Sequence, residues 1–142
     1  MKSKQTGENV VIIGGGLSGC EIAYELSLEG KNPIIIEAQD DLMKARGLCL
    51  ANSSYLKDYF EYKKVPVYLE SSVVEIKKDK VIFKDKSGKE TSVPADTIIT
   101  AIGYKPNPLC QAKKHIHIVG DALKVGNLRT VVWKAWEVAE KI

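Results

Sequence analysis

A chain of 142 residues, 44% hydrophobic, 27% charged and carrying a net charge of +3, has the size and balance of one soluble globular domain with a real core. No apolar run reaches the roughly 18 residues that a membrane span needs, Met1 to Glu8 is polar with no apolar signal core, and the expected compartment is the cytoplasm. Lys63, Lys64, Lys77, Lys78, Lys80, Lys84, Lys86 and Lys89 are mostly interleaved with acids near turns, which describes a solvated face and speaks against a nucleic-acid surface.

The first predicted element is an apolar strand from Val10 to Ile13, and it runs directly into Gly14, Gly16 and Gly19. Such a strand, turn and helix can cradle a dinucleotide phosphate. The first glycine makes the tight turn, the second lets a pyrophosphate approach the backbone, and the third lets helix and sheet pack closely. The free N–H groups and the positive dipole end of the new helix then face the phosphates. A helix is predicted over residues 17–29, with Ile22, Ala23 and Leu26 on one stripe and Gly30 at its left-handed cap. The next strand, Pro33 to Ile36, is continuously apolar, as in a parallel sheet covered on both faces. It ends in Glu37, roughly 20 residues beyond the glycines, where a carboxylate can accept hydrogen bonds from an adenosine ribose. A purely structural glycine turn followed by a solvated acid is the alternative reading.

Beyond the polar stretch Ala38–Gln39–Asp40–Asp41, helical spacing of Leu50, Tyr55, Leu56, Tyr59 and Phe60 predicts a second helix over about 48–64. Pro66 hands over to a third parallel strand, 67–69. The period then changes to two. Residues 73–76, 80–83 and 90–93 read as an antiparallel meander, with Gly88 at the tighter corner. It replaces a helix as the crossover and leads to another buried-type strand, 96–101. A last strand, 116–119, and a closing helix, 128–141, complete the reading. The expected fold is therefore α/β and Rossmann-like, with three layers: a central parallel sheet, helices on one side and the three-stranded meander on the other.

These residues resemble the pyridine-nucleotide domain of the flavoprotein oxidoreductases that carry two dinucleotide-binding domains. The resemblance rests on G-G-G-L-S-G-C-E at 14–21, on Glu37, on T-A-I-G-Y-K-P-N at 100–107, and on Val119, Gly120 and Asp121. Ile102 and Lys105 depart from the family's A-T-G then R-x-P-N element. Within the group, G-C-E-I-A-Y-E-L, I-I-I-E-A and I-V-G-D-A are most similar to the carboxy-terminal region of 2-enoate reductase, 2,4-dienoyl-CoA reductase and trimethylamine dehydrogenase-like proteins. The resemblance implies a dinucleotide-binding site made by Gly14, Gly15, Gly16, Leu17, Ser18, Gly19, Glu21, Glu37, Ala38, Ala101, Ile102, Gly103, Gly120 and Asp121. In the family Glu21 lies near the nicotinamide end and the Gly120–Asp121 element touches flavin. An amino-terminal barrel with FMN and an iron-sulfur cluster is implied for the relatives only, since none of that sequence is here. Residues 1–8 read as a polar leader or linker, and 9–142 as a single dinucleotide-binding domain excised from a larger flavoprotein, inactive alone.

Charge favours NAD(H) over NADP(H): Glu37, Asp40 and Asp41 stand where a 2′-phosphate would sit, and Lys44 and Arg46, which could reach inward, lie further along. FAD remains possible in the full-length protein, and two rivals stay open. In one the glycine loop grips the ADP half of FAD; in the other the domain is a non-catalytic docking module, which Trp136 and the closing helix could serve. Asp121 is either a flavin contact or the N-cap of the closing helix, and Glu21 either lines the site or is a solvated helix residue. Tyr104 either lines the site or shields it. Trp133 and Trp136 share a helical face and read as packing or docking residues. His115 and His117 face one side of the predicted strand without further metal ligands. Cys20, Cys49 and Cys110 form neither a disulfide framework nor a C-x-x-C pair. No catalytic residue and no metal site is assigned.

Overall fold

The computed structural model describes residues 6–44 and 48–142, so Arg46 and the start of the polar leader lie outside the described residues. Two compact units meet in sequence at Ile102 and Gly103.

The first unit is built on β1 (Asn9–Ile13), β2 (Asn32–Ile36), β3 (Val67–Tyr68) and β7 (Thr97–Thr100), all parallel, in the order β3-β2-β1-β7. Helices α1 (Leu17–Leu28) and α2 (Leu50–Lys63) connect the first three strands. Between β3 and β7 runs an antiparallel sheet of β4 (Ser72–Ile76), β5 (Lys80–Lys84) and β6 (Glu90–Pro94). This is the expected Rossmann-like arrangement, meander included.

Alternation along the parallel strands explains the three layers, because successive side chains leave a strand on opposite faces. Val10, Ile12 and Ile35 pack with Cys20, Ala23 and Leu26 of α1 and Leu56 and Phe60 of α2. Val11 and Ile36, one residue out of phase, pack on Val81, Phe83 and Val93 of the meander. The central strands, covered on both faces, are accordingly apolar throughout from Val10 to Ile13 and from Pro33 to Ile36. Pro33 is tolerated in β2 because β3 pairs only with Ile35 and Ile36, leaving no ladder for a missing N–H on that side. α1 ends as predicted: Gly30 takes φ +77°, and Lys31 N–H reaches the Leu26 carbonyl at 3.0 Å.

The second unit carries a 3-10 turn, Gly120–Ala122, and α3 (Leu128–Ala139). None of residues 103–142 is buried. Two expectations are corrected here. Residues 116–119 form no strand; Ile116 only bridges back to Lys113 around a tight turn, which also removes the strand alternation assumed for His115 and His117. Asp121 does not cap the closing helix. Asn127 does, accepting from Thr130 N–H while the Thr130 hydroxyl accepts from Asn127 N–H, a reciprocal capping box. Asp121 instead accepts from Gly126 N–H at 3.1 Å. Among the described residues no helix is long and apolar enough to cross a membrane.

Candidate nucleotide site

Three strand ends converge on the turn between β1 and α1. Gly14 N–H donates to the Ile36 carbonyl of β2 at 2.8 Å, and Ala101 N–H, just past β7, donates to the Ile13 carbonyl at 2.7 Å. Gly14 sits at φ +108°, where a side chain is strained, and a Cβ there would lie 2.5 Å from the Ala101 carbonyl oxygen. A Cβ on Gly19 would fall 2.0 Å from the Gly14 oxygen, so α1 packs against its own turn with no room for a methyl. Gly15 is enclosed by side chains instead, with Leu42 Cδ2 2.4 Å and Glu37 Cβ 3.1 Å from its Cβ position. Gly16 differs from all three. Nothing lies within 4 Å of the Cβ position there, although its backbone is ordinary at φ −68°. The first bond of α1 runs from Cys20 N–H to the Gly16 carbonyl, so the amides of Leu17, Ser18 and Gly19 precede the helix ladder at its positive end.

Glu37 is buried against this turn. Its Oε2 accepts from Gly15 N–H and its Oε1 from Gln39 N–H at 2.7 Å, so the carboxylate braces the loop from the end of β2. Each carboxylate oxygen keeps a second lone-pair site for a ligand hydroxyl. Leu42 and Met43 are also buried, Met43 N–H donating to the Gly15 carbonyl at 2.8 Å, with Met43 at φ +53°. The segment after β2 thus folds back over Gly15. Beyond Glu37, Lys44 pairs with Asp40, Lys57 of α2 reaches Asp41 at 2.6 Å, and Lys86 reaches Glu70 at 2.6 Å.

The structure therefore brings Gly14, Gly15, Gly16, Leu17, Ser18, Gly19, Glu37, Ala101 and Ile102 to one edge of the parallel sheet, with exposed Ala38 following Glu37. Glu21 is exposed on α1. Gly103, Gly120 and Asp121 belong to the second unit, where Tyr104, Lys105, Asn107, Asp121, Ala122 and Val125 line a shallow cavity of about 310 Å³. Leu42, Met43 and Lys57 were not singled out from the sequence. An apolar Leu-Met pair inside an otherwise polar loop is the signal that marks the first two.

Cys20 lies at 0% exposure behind the turn, its Sγ donating to the Gly15 carbonyl at 3.4 Å. Burial, reinforced by the Glu37 charge, pushes its thiol up to about 12. At neutral pH iodoacetamide should modify the exposed Cys49 and Cys110 and spare Cys20 until the chain is unfolded, a pattern that peptide mass mapping reads directly. Fast native modification of Cys20 would contradict this packing.

A family model described as pyridine nucleotide-disulphide oxidoreductase matches residues 1–130. The chain belongs to that family. Cinnamate reductase of Clostridium sporogenes is 38% identical over 148 residues, covering 100% of this chain and 22% of that protein. NADH oxidase of Thermoanaerobacter brockii is 29% identical, covering 95% of this chain and 21% of that protein. This member of the family thus spans about a fifth of the length of those curated relatives. Among solved structures, a 2-naphthoyl-CoA reductase superposes with a TM-score of 0.81 at 19% identity, covering 98% of this chain and 22% of that one. Histamine dehydrogenase from Rhizobium sp. 4-9 gives 0.77 at 13% identity, covering 96% and 23%. Both show the fold.

Proposed function

We propose that this chain is the NAD(H)-binding domain of a flavin-dependent NADH oxidoreductase of the enoate-reductase type. The observation that carries the reading is the contrast within the glycine turn. Gly14, Gly15 and Gly19 are walled in by protein, whereas Gly16 opens to free space beside the amides that start α1. A bare backbone facing open space at a helix N-terminus suits a diphosphate. The Glu37 carboxylate, held by two main-chain N–H groups, is the acceptor for the adenosine ribose hydroxyls. Ala38 follows Glu37 on the adenosine side, Ala101, Ile102 and Glu21 extend the site toward the nicotinamide, and in the second unit Gly103 is assigned to the nucleotide and Gly120 with Asp121 to a flavin.

Bound nicotinamide supplies a hydride to a flavin carried largely by other parts of the full-length protein. This chain's own residues bind and orient: the turn fixes the diphosphate, Glu37 fixes the sugar, and the Ala101–Ile102 strand end walls the turn. The names of the relatives, cinnamate reductase and NADH oxidase, support a reductase that draws electrons from NADH. The proposed partner is an amino-terminal flavin barrel holding FMN and an iron-sulfur cluster, with residues 9–142 acting as one dinucleotide-binding domain.

Calorimetric titration of the chain with NADH, NADPH and FAD tests the assignment. NADH should bind more tightly than either other nucleotide, and tighter binding of FAD would transfer the site to the rival flavin reading. Glu37→Arg places a cation where a 2′-phosphate would sit, so the NADPH-to-NADH affinity ratio should rise at least about tenfold. Because the variant also strips the acceptor from Gly15 and Gln39 N–H, it should lose about 2 kcal/mol of stability in a denaturant titration. An unchanged ratio in a folded variant would remove Glu37 from the nucleotide site.

A further inference from the structure

The acids beside Glu37 are not free charges. Asp40 is paired with Lys44, and Asp41 with Lys57 at 2.6 Å, the two lysines arriving from the loop after β2 and from α2. The lysine bonds hold both carboxyls below the usual carboxylate range, so both carboxyls are ionised at neutral pH. Two acids matched by two cations leave little net field to repel an approaching phosphate. Simple repulsion by Asp40 and Asp41 is therefore a poor account of how this edge would reject a 2′-phosphate. A lysine ammonium released from its carboxylate would be a good phosphate ligand, whereas one already bonded is withheld.

We infer that Asp40 and Asp41 are specificity-determining residues of the nucleotide site, and that they exclude a 2′-phosphate by keeping Lys44 and Lys57 occupied. This rests on the NAD(H) reading above. The placement follows from how the segment is anchored. Asp41 Oδ1 accepts from Leu42 N–H at 2.8 Å, which turns Oδ2 toward Lys57. Leu42 itself packs on Gly15, and Met43 N–H bonds the Gly15 carbonyl, so the acid pair is tied to the phosphate turn by the same few residues.

The test compares four forms of the chain by calorimetry with NADH and NADPH at neutral pH and physiological salt. Asp40→Asn with Asp41→Asn keeps the acceptor for Leu42 N–H while freeing both lysines. It should raise the NADPH-to-NADH affinity ratio about tenfold, the worth of one charge-assisted hydrogen bond. Adding Lys44→Ala and Lys57→Ala should return NADPH binding to the starting value. Glu75→Gln with Glu90→Gln breaks two lysine pairs on the meander, adds the same net charge, and should leave the ratio alone. An unchanged ratio in the first variant overturns the inference. So does a gain that survives removal of the lysines, which would restore plain repulsion, or an equal gain in the meander control. Failure of the unaltered chain to bind either nucleotide is a separate result, and it overturns the NAD(H) reading together with this one.

Discussion

Gly16→Ala should leave the protein folded and weaken NADH binding about a hundredfold, the equivalent of one or two charge-assisted hydrogen bonds. The asymmetry comes from where the added methyl goes. Nothing of the protein lies within 4 Å of it, and the backbone at φ −68° is open to any residue. Stability should fall by no more than about 1 kcal/mol, the ordinary difference between glycine and alanine at a helix N-cap. The space that the methyl takes is the space assigned to the diphosphate. Paired thermal unfolding and calorimetry read both quantities, and an alanine variant that binds NADH as tightly as the parent would move the diphosphate away from this turn.

Gly19→Ala should behave in the opposite way and cost the fold itself. Its Cβ would stand 2.0 Å from the Gly14 carbonyl oxygen and 3.3 Å from Ala101 Cβ, and the nearer atom is backbone held by Gly14 N–H on β2. No rotamer relieves that contact, so α1 must lift from the sheet edge, away from the core that Cys20, Ala23 and Leu26 make with Val10, Ile12 and Ile35. Overpacking in a well-packed interior costs about 1–3 kcal/mol, and a rigid backbone neighbour puts this site at the upper end, about 3 kcal/mol. Chemical denaturation measures it. A Gly19→Ala variant as stable as the parent would show that the helix does not lie this close to the turn.

Much of the first unit is legible in the residues because local and tertiary signals agree there. The run from Val10 to Glu37 carries strand, glycines, helix, capping Gly30, strand and acid in one order. The change from period 3.6 to period 2 after Ser71 marks the meander before any contact is known. The second unit is less legible. Ile116, Ile118 and Val119 are apolar and β-branched enough to read as a strand, yet a strand requires a neighbour, and the tight turn from Lys113 to Ile116 supplies only a bridge. Asp121 looks like a cap because it follows an apolar run, while Asn127 with Thr130 three residues later is the better local signature, and the structure uses it.

At the site, the tight turn at Gly14, the close helix packing at Gly19 and the position of Glu37 at the end of β2 follow from sequence spacing. The bracing of Gly15 N–H by Glu37 does not, since it depends on Leu42 and Met43 folding the loop back. The Asp40–Lys44 pair has an i,i+4 spacing that can be noticed in advance, but Lys57 stands sixteen residues from Asp41 and reaches it only because α2 packs beside the end of β2. Reading the carboxylates as a repelling cluster does not foresee that Lys44 pairs with Asp40 and Lys57 with Asp41. Charge signs are local in sequence, whereas charge neutralisation is a property of the fold.

The most direct measurement is a crystal structure of the chain grown with millimolar NADH. The diphosphate should lie over Gly16 within hydrogen-bond distance of the main-chain amides at the start of α1, with an adenosine ribose hydroxyl on the Glu37 carboxylate. A dinucleotide bound elsewhere, or a Gly14–Gly19 turn that stays empty while NADH saturates the protein in solution, would contradict the account.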